Sequence, residues 1–413
     1  MRILVQKYGG TSVANLECMK QVLAKVKQSL AEGYKMVVAL SAMSGETNRL
    51  LKLAATWSQN PDPAECDCLV ATGEQTSVAL FAMMLKDEGI RARSLLGFQI
   101  PIITNCNYSR ARIMDIDAEK MKALLEDHDV LVVAGFQGVD ETGRITTLGR
   151  GGSDTTGVAL AAALGAEVCE IYTDVSGVYT TDPNMCSAAR KMNRITYDEM
   201  LEFSSMGAKV LQIRSVEFAK KYNVPVRVRS TFSDDPGTLV TQEDEKMEDV
   251  LVSGIAYDRD QCRITVWNVN DRPGVAASIF SPIAEAGILV DMIVQNTSRE
   301  GRTDMTFTVP KSNLDKTVKI LEGIKDEIGS GEIQYDVNVC KVSVIGVGMR
   351  SHSGVASKMF SSLRNERINI LMISTSEIKI TCLIEEKYLE LAVRALHDAF
   401  ELEKERQSKV CSA

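Results

Sequence analysis

Histidine is almost missing from this 413-residue sequence, with three residues far apart at 128, 352 and 397, and its ten cysteines include no C-x-x-C pair. That scarcity argues against a zinc centre, which needs several soft ligands at close spacing. The nearest pair, Cys66 and Cys68, lies in a helix-like stretch and is a poor zinc candidate. Scattered thiols inside apolar runs read instead as reduced, buried structural residues, as expected in a cytoplasm. No uncharged apolar stretch is long enough to cross a bilayer. The N-terminal MRILVQKYGG has too short an apolar run for a secretory signal. A basic surplus is absent as well: 47 Lys and Arg face 55 Asp and Glu, a net charge of −8. A general nucleic-acid or acidic-membrane binder needs the opposite balance, whereas a small anion held by a few local cations does not. A soluble, cytoplasmic protein is the expectation.

What is present is a long alternation. The length exceeds one hydrophobic core and predicts two or three domains. Over the first ~240 residues, RILVQ, MVVAL, ARSLL, PIIT, VLVVAG, VCEIYT and VPVRVRS read as apolar strands separated by helical patterns. After the first strand, Leu16, Met19, Val22, Leu23, Val26 and Leu30 mark one helical face. Such alternation predicts a largely parallel sheet covered by helices on both sides. The helix in TTGVALAAALGA has almost no polar face, as expected of one buried between layers.

The charged linker TQEDEKMED, 241–249, ends this half, and the chain then repeats itself. DRPGVAASIFSPIAEAGILVDMI aligns with SHSGVASKMFSSLRNERINILMI at a constant offset of 80 positions, pairing Gly274 with Gly354, Val275 with Val355 and Ile288 with Ile368. A strand precedes each copy, strand signals follow, and each ends in a helix, at 312–327 and 386–400. Two βαββαβ units are the economical reading.

In parallel sheets, ligands gather beyond the carboxyl ends of the strands. QKYGGTS (6–12) offers glycines for close backbone approach to an anion, a following helix with free N–H groups, and Lys7 as a mobile cation. In SAMSGETNRL (41–50), Ser41, Ser44 and Thr47 suit ligand contact or simple helix capping equally well. Glu74 in ATGEQTS is either a helix-start charge or an acceptor for a ligand ammonium. In LGRGGSD, Ser153 or Asp154 can cap the buried helix, but capping does not call for Arg150, whose guanidinium suits a carboxylate or phosphate. YTDVSGVYTTDP (172–183) reads as an ordinary turn or as a partner for ribose and Mg²⁺-linked phosphates.

Taken together and in order, KYGGTS, SAMSGETN, TGE, TTLGRGGSD and VYTTDP closely resemble the aspartate kinases of the amino-acid kinase superfamily. The repeats resemble their C-terminal ACT domains, including QNTS and INILMISTSEIKI, and the likeness covers essentially the whole chain. The resemblance implies a three-layer αβα kinase domain at 1–243, an ACT domain at 263–338 and a second at 339–405 to which strand 251–262 belongs in space. It implies transfer of the γ-phosphate of ATP to the side-chain carboxylate of L-aspartate, the first step towards lysine, threonine and methionine. A carboxylate is already ionised at neutral pH, so no general base is required and the task is to bring two anions together.

By the same resemblance, Lys7 neutralises the transferring phosphoryl group and Asp154 orients Lys7. Gly9, Gly10 and Ser12 cradle phosphate, with Ser41, Thr173, Asp174, Tyr179, Asp182 and Lys209 on the nucleotide side. Arg150 takes the substrate α-carboxylate and Glu74 its ammonium, with Thr47, Gly151, Gly152 and Ser153 around them. Mg²⁺ travels with ATP, without direct protein ligation. Asn184 stands where the family commonly has a phosphate-binding arginine, so that either Arg190 or Lys191 replaces it or nucleotide affinity is lower. The resemblance further implies a homo-oligomer through ACT pairing and feedback by lysine, threonine or both. Effector candidates are Asp271, Gly274, Val275, Ala276, Asp291, Gln295 and Asn296 in the first ACT unit, and Val355, Ala356, Asn369 and Ile370 in the second. Some related enzymes make a regulatory subunit from an internal start, here Met247. Two rival readings are a kinase for glutamate or acetylglutamate, and a non-catalytic amino-acid sensor.

Overall fold

A computed structural model describes residues 1–207, 210–243, 251–296, 301–350 and 352–404. Lys209, Met247 and most of the charged linker lie outside the described residues. The chain divides into two compact units, Met1–Tyr179 with Lys191–Glu245, and Thr180–Arg190 with Lys246–Ala413. The boundary differs from the expected 1–243, because an eleven-residue internal segment belongs to the second unit.

The first unit is built on an eight-stranded sheet. From edge to edge it runs Arg194–Thr196, Thr238–Thr241, Val226–Ser230, Cys169–Thr173, Ile3–Tyr8, Lys35–Leu40, Val130–Ala134 and Ala92–Leu95. Every neighbouring pair is parallel except Val226–Ser230 with Thr238–Thr241. Strands Ile3–Tyr8 and Val130–Ala134 are buried along their whole length between two helical layers, the second as an unbroken apolar run and the first with Gln6 and Lys7 buried among its apolar residues. The PIIT run does not join this sheet. It pairs instead in a small four-stranded sheet of Ile113–Ile116, Ile102–Thr104, Gln137–Val139 and Ile145–Thr147.

Helix Leu16–Ala31 buries Met19, Val22 and Val26, with Leu23 and Leu30 packed at the edge of the same core. Leu16 departs from the expected face: it is the first helical residue and is exposed. Helix Gly152–Leu164 is buried nearly all round. Its N-cap is Gly151 in the left-handed conformation (φ 72°), so neither Ser153 nor Asp154 caps it. Both lie inside its first turn, free for other contacts. Helices Pro63–Val70 and Thr72–Asp87 follow one another almost without a break. Together they have the length and composition of a bilayer span, yet half of that stretch is buried inside the protein, and Asp67 and Glu74 are among its buried residues.

The second unit holds one antiparallel sheet of six strands, ordered Ile293–Gln295, Arg302–Val309, Gly254–Asn270, Ile333–Ile345, Lys379–Glu385 and Met372–Thr375. Its two central strands serve both repeats. Cys262–Asn270 pairs with Arg302–Val309 of the first repeat, while Gly254–Asp258 pairs with Lys341–Ile345 of the second. The first repeat is thus inserted within the second. Helices Val275–Glu285 and Leu314–Ile328 close one core, and Val355–Asn365 and Leu389–Ala399 close the other. The second core is completed by Val252 and Ile255, and by Met185 and Cys186 from segment 180–190.

All nine described cysteines are free. Cys169, Cys186, Cys262, Cys340 and Cys382 are buried, whereas Cys68 and Cys106 are exposed and Cys18 and Cys66 half-buried. Burial therefore explains only part of the cysteine content.

Candidate active site

Because the central strands are parallel and in register, their carboxyl ends lie along one edge. Tyr8 stands opposite both Leu40 and Tyr172, and Leu40 opposite Ala134. The loops that follow converge there. Ser41 N–H donates to the Tyr8 carbonyl (3.1 Å), and Gly9 N–H to the Tyr172 carbonyl (3.2 Å). A Cβ on Gly10 would stand 2.9 Å from the Ala42 carbonyl, so only glycine lets the first two loops approach this closely.

Lys7 is buried, and its ammonium lies 2.6 Å from the Asp154 carboxylate. Asp154 reaches it from the first turn of helix Gly152–Leu164, where Gly157 admits the Lys7 stem: a Cβ there would lie 3.0 Å from Lys7 Cβ. The small residues of that apolar helix thus have a local purpose. Side chains on the other face of the same strand form a separate buried network. Gln6 donates to Glu170 (2.9 Å), Tyr8 donates to Gln6 (3.0 Å), Arg229 donates to Glu170 (3.0 Å), and the Tyr8 and Tyr172 rings stack at 4.6 Å. This polar network helps hold the strand that carries Lys7.

The phosphate turn differs from expectation in one respect. The next helix begins at Leu16 and is capped by the Asn15 side chain, which accepts from Cys18 N–H (3.0 Å). Its dipole end is therefore not at the glycines. Ser12 is fully buried, its hydroxyl within 2.7 Å of the Thr231 hydroxyl and its N–H donated to the Gly9 carbonyl (3.0 Å).

Glu74 lies in the first turn of helix Thr72–Asp87 and is only 3% exposed. One carboxylate oxygen accepts from Ala42 N–H (3.0 Å), while the other is buried with no hydrogen-bond partner. Burial pushes its pKa up to about 7, against the opposing pull of the Ala42 hydrogen bond. A buried acceptor with one oxygen unmatched is what a ligand ammonium would satisfy. Thr47, half-buried, sits in the first turn of helix Glu46–Trp57, which starts at left-handed Gly45 and has no side-chain cap.

Arg150 is exposed and has no ion-pair partner among the described residues. Gly149 and Gly151 flank it in the left-handed region at φ 77° and 72°. A Cβ on Gly151 would fall 1.7 Å from Gln212 Cγ. Ser153 lies at the same edge, its Cβ 3.0 Å from where a Cβ on Gly135 would stand.

On the far side of the first strand, Thr173 hydroxyl donates to exposed Asp174 (3.0 Å), and the Thr173 carbonyl accepts from Thr231 N–H (3.0 Å). Tyr179 bridges to Lys191. Asp182 belongs to the second unit, where it accepts from Tyr257 hydroxyl (2.8 Å) and from Asn184 N–H (2.8 Å) and Nδ2 (3.0 Å). Asn184 serves the same turn, and Lys191 is ion-paired with Asp235.

Among the effector candidates, Asp271, Gly274, Asp291, Gln295, Asn296 and Asn369 are exposed, and Ala276, Ala356 and Ile370 half-buried. The side chains of Val275 and Val355 cannot face a ligand, since each is packed in its repeat's core. What they can offer is backbone at the helix start, behind left-handed Gly274 and Gly354. Asp291 is ion-paired with buried Lys341.

Sequence reasoning missed Asp67, Ser109 and Arg214, which surround the Arg150 turn. No motif marks them, because their hydrogen-bond partners lie far away in sequence. Among the described residues no three acidic, histidine or cysteine side chains cluster as a metal site.

Comparison with known proteins agrees with this architecture. The amino acid kinase family model matches residues 2–230, and the ACT domain model matches 267–323 and 342–400. An aspartate kinase of Pseudomonas fluorescens (strain SBW25) is 57% identical over 406 residues, 98% of each chain. The structure of E. coli aspartokinase III in complex with aspartate and ADP (R-state) matches with a TM-score of 0.79 at 28% identity, covering 96% of this chain and 99% of that one. The same enzyme in complex with lysine and aspartate (T-state) matches with a TM-score of 0.77, with the same identity and coverage.

Proposed function

The chain belongs to the aspartate kinases, an amino acid kinase domain followed by tandem ACT domains, and from that premise we propose that it transfers the γ-phosphate of ATP to the side-chain carboxylate of L-aspartate, giving 4-phospho-L-aspartate and ADP. One observation carries the residue assignment: the buried Lys7–Asp154 pair at 2.6 Å, on the edge where the glycine turn, Glu74 and Arg150 also lie. A substrate carboxylate oxygen bonds to the γ-phosphorus as the bridge to the β-phosphate breaks, and ADP departs with the bond pair. Asp154 holds Lys7 extended, and the Lys7 ammonium neutralises charge on the phosphoryl group as the two anions meet. Arg150 takes the α-carboxylate and the unmatched oxygen of Glu74 takes the α-ammonium. Together they fix which carboxylate of the substrate faces the nucleotide. Gly9, Gly10, Thr173, Asp174 and Tyr179 form the nucleotide side.

Magnesium arriving with ATP fits a donor set of this kind, since such an ion keeps water and phosphate oxygens and asks little of the protein. The ion would come with ATP and need no direct protein ligand, and its contribution would be to screen phosphate charge. A coupled ADP-release assay across aspartate, glutamate and acetylglutamate tests the proposal. Turnover with aspartate alone supports it, and preference for either other acid overturns it.

We further propose feedback through the ACT pair by lysine, threonine or both, a reading supported by the lysine-bound structural relative. ACT pairing into a homo-oligomer is supported by the sheet's two edge strands, which expose Ile293 and Ile373. Activity unchanged by millimolar lysine and threonine, singly and together, rejects the feedback. A cytoplasmic location and a regulatory chain starting at Met247 belong to the same proposal, and mass spectrometry of natively expressed material tests for the second chain.

A further inference from the structure

A buried carboxylate and a half-buried guanidinium flank the strand that leads into the Arg150 turn, and the proposed reaction uses neither. Asp67, on helix Pro63–Val70, is 1% exposed. One of its oxygens accepts from Thr147 N–H (2.7 Å) and Ser109 N–H (2.9 Å). The other accepts from Thr147 Oγ1 (2.6 Å) and Ser109 Oγ (3.4 Å). Arg214, on helix Ile213–Tyr222, donates to the main-chain carbonyls one and two residues further on, those of Leu148 and Ala111. The anion thus gathers N–H and O–H donors while the cation gathers carbonyls. Both act on the same two chain segments.

Those segments are also tied to each other. Ala111 N–H donates to the Thr147 carbonyl (2.9 Å), and Leu148 N–H to the Phe136 carbonyl (2.8 Å). Ser109 is held at φ 66°, a conformation that non-glycine residues seldom adopt. Left-handed Gly149 fits so closely over it that a Cβ would stand 2.9 Å from the Ser109 carbonyl. The next residue is Arg150. Its guanidinium is exposed, but the main chain that aims it is fixed from both sides.

We propose that Asp67 and Arg214 are positioning residues that set affinity for the amino-acid substrate by holding the 148–152 turn, with no direct part in nucleotide binding. The proposal rests on the reading that Arg150 takes the substrate α-carboxylate. A bidentate guanidinium–carboxylate contact is demanding in direction, and a displacement of about 1 Å can cost on the order of 100-fold.

Steady-state kinetics on the full chain, varying aspartate and ATP separately, provide the test. Asp67→Asn faces the Thr147 and Ser109 donors with an amide, and Arg214→Lys cannot span two carbonyls. Each is expected to raise KM for aspartate by about tenfold or more, with KM for ATP within about twofold of wild type. Thr147→Val removes only the 2.6 Å hydroxyl bond and serves if Asp67→Asn fails to fold; its expected rise in KM for aspartate is about three- to tenfold. Arg150→Lys is the reference. If Arg150→Lys raises KM for aspartate while the folded clamp variants leave it unchanged or lose only kcat, the clamp is overturned and the proposed function stands. If Arg150→Lys itself leaves KM for aspartate unchanged, the assignment of Arg150 fails and the clamp fails with it.

Discussion

The two units bury charge very differently. In the first, Lys7, Lys25, Asp67, Glu74, Asp140, Asp154, Glu170 and Glu199 are all buried, and several converge on the carboxyl edge of the parallel sheet. In the second, the buried polar positions among the described residues are mostly threonines and serines, with Lys341 the charged residue among them. Burying charge is costly unless partners are in place, so a domain that does so repeatedly is organised around chemistry. A domain that avoids it while leaving polar groups and sheet edges at its surface is organised around recognition. The contrast assigns turnover to one unit and sensing to the other, and each prediction below can break that division.

The largest effect belongs to Lys7. Lys7→Ala removes the cation beside Asp154 and leaves a buried carboxylate without its counter-charge. Turnover is expected to fall by at least about 10²–10³-fold. Calorimetric titration with lysine or threonine should meanwhile give wild-type heats, because the substitution leaves the second unit untouched. A Lys7→Ala protein that turns over normally defeats the mechanism, and one that turns over poorly and also loses effector binding defeats the division of labour.

Glu74 gives the next largest effect, and with a definite sign. Its folded pKa of about 7 lies above the ordinary 4.5. Between those values the folded state holds a proton that the unfolded chain has lost, so stability falls as pH rises through this window, by at most roughly 3 kcal/mol. Glu74→Gln abolishes that cost and is expected to unfold at a higher temperature than wild type at neutral pH. It also loses a charge-assisted bond to the substrate ammonium, raising KM for aspartate about 10- to 100-fold. In the wild type, kcat/KM for aspartate should decline as pH drops below about 7, and in the variant that decline should vanish. A variant that is neither more stable nor weaker for aspartate would show that the carboxylate has another role.

The sequence carried different parts of this picture unequally. Strands such as Val130–Ala134 were legible because a doubly buried strand is an unbroken apolar run, and the repeat was legible because Gly274 and Gly354 keep an exact chain offset of 80. Arg150 stood out because capping does not call for an arginine before two glycines, whereas Lys7, in a turn that is weak evidence alone, gained its role from the combined motifs. The bond from Tyr257 to Asp182 was not legible, because only tertiary packing carries segment 180–190 into the second unit. Asp67 and Arg214 were invisible because they bond main-chain groups of residues about 40 to 100 positions away, and such contacts leave no local pattern. Val275 and Val355 were named only through the likeness to ACT domains, and their places in the two cores depend on packing that one sequence does not display.

A smaller effect separates the two repeats inside the second unit. Gln295 and Asn296 are exposed at the edge of the first repeat, and the 80-residue offset places Thr375 and Ser376 at the same points of the second. On the proposed feedback, the longer amides are expected to reach a bound amino acid that the short hydroxyls cannot. The double substitution Gln295→Thr with Asn296→Ser makes the first edge resemble the second, and the effector concentration for half-inhibition should rise about tenfold. An unchanged inhibition curve would shift effector recognition to the second repeat.

The smallest effect tests the contrast from the acid side, where the two units should respond in opposite directions. His397 is fully buried in the second unit, with Nε2 3.0 Å from the Thr180 hydroxyl and Nδ1 unpartnered. Burial pushes its pKa below the ordinary 6.5, with Arg190 acting in the same direction and Asp398 and Glu403 opposing. Below 6.5 the unfolded chain takes a proton that the folded unit refuses, so this histidine removes stability as pH falls, whereas Glu74 restores it over much of the same range. His397→Gln is neutral at every pH. The gap in unfolding temperature between wild type and His397→Gln should therefore be widest near pH 8 and narrow by about pH 5.5. A gap that is constant across that range would mean His397 titrates alike in the folded and unfolded chain, and its burial against Thr180 would then have no electrostatic consequence.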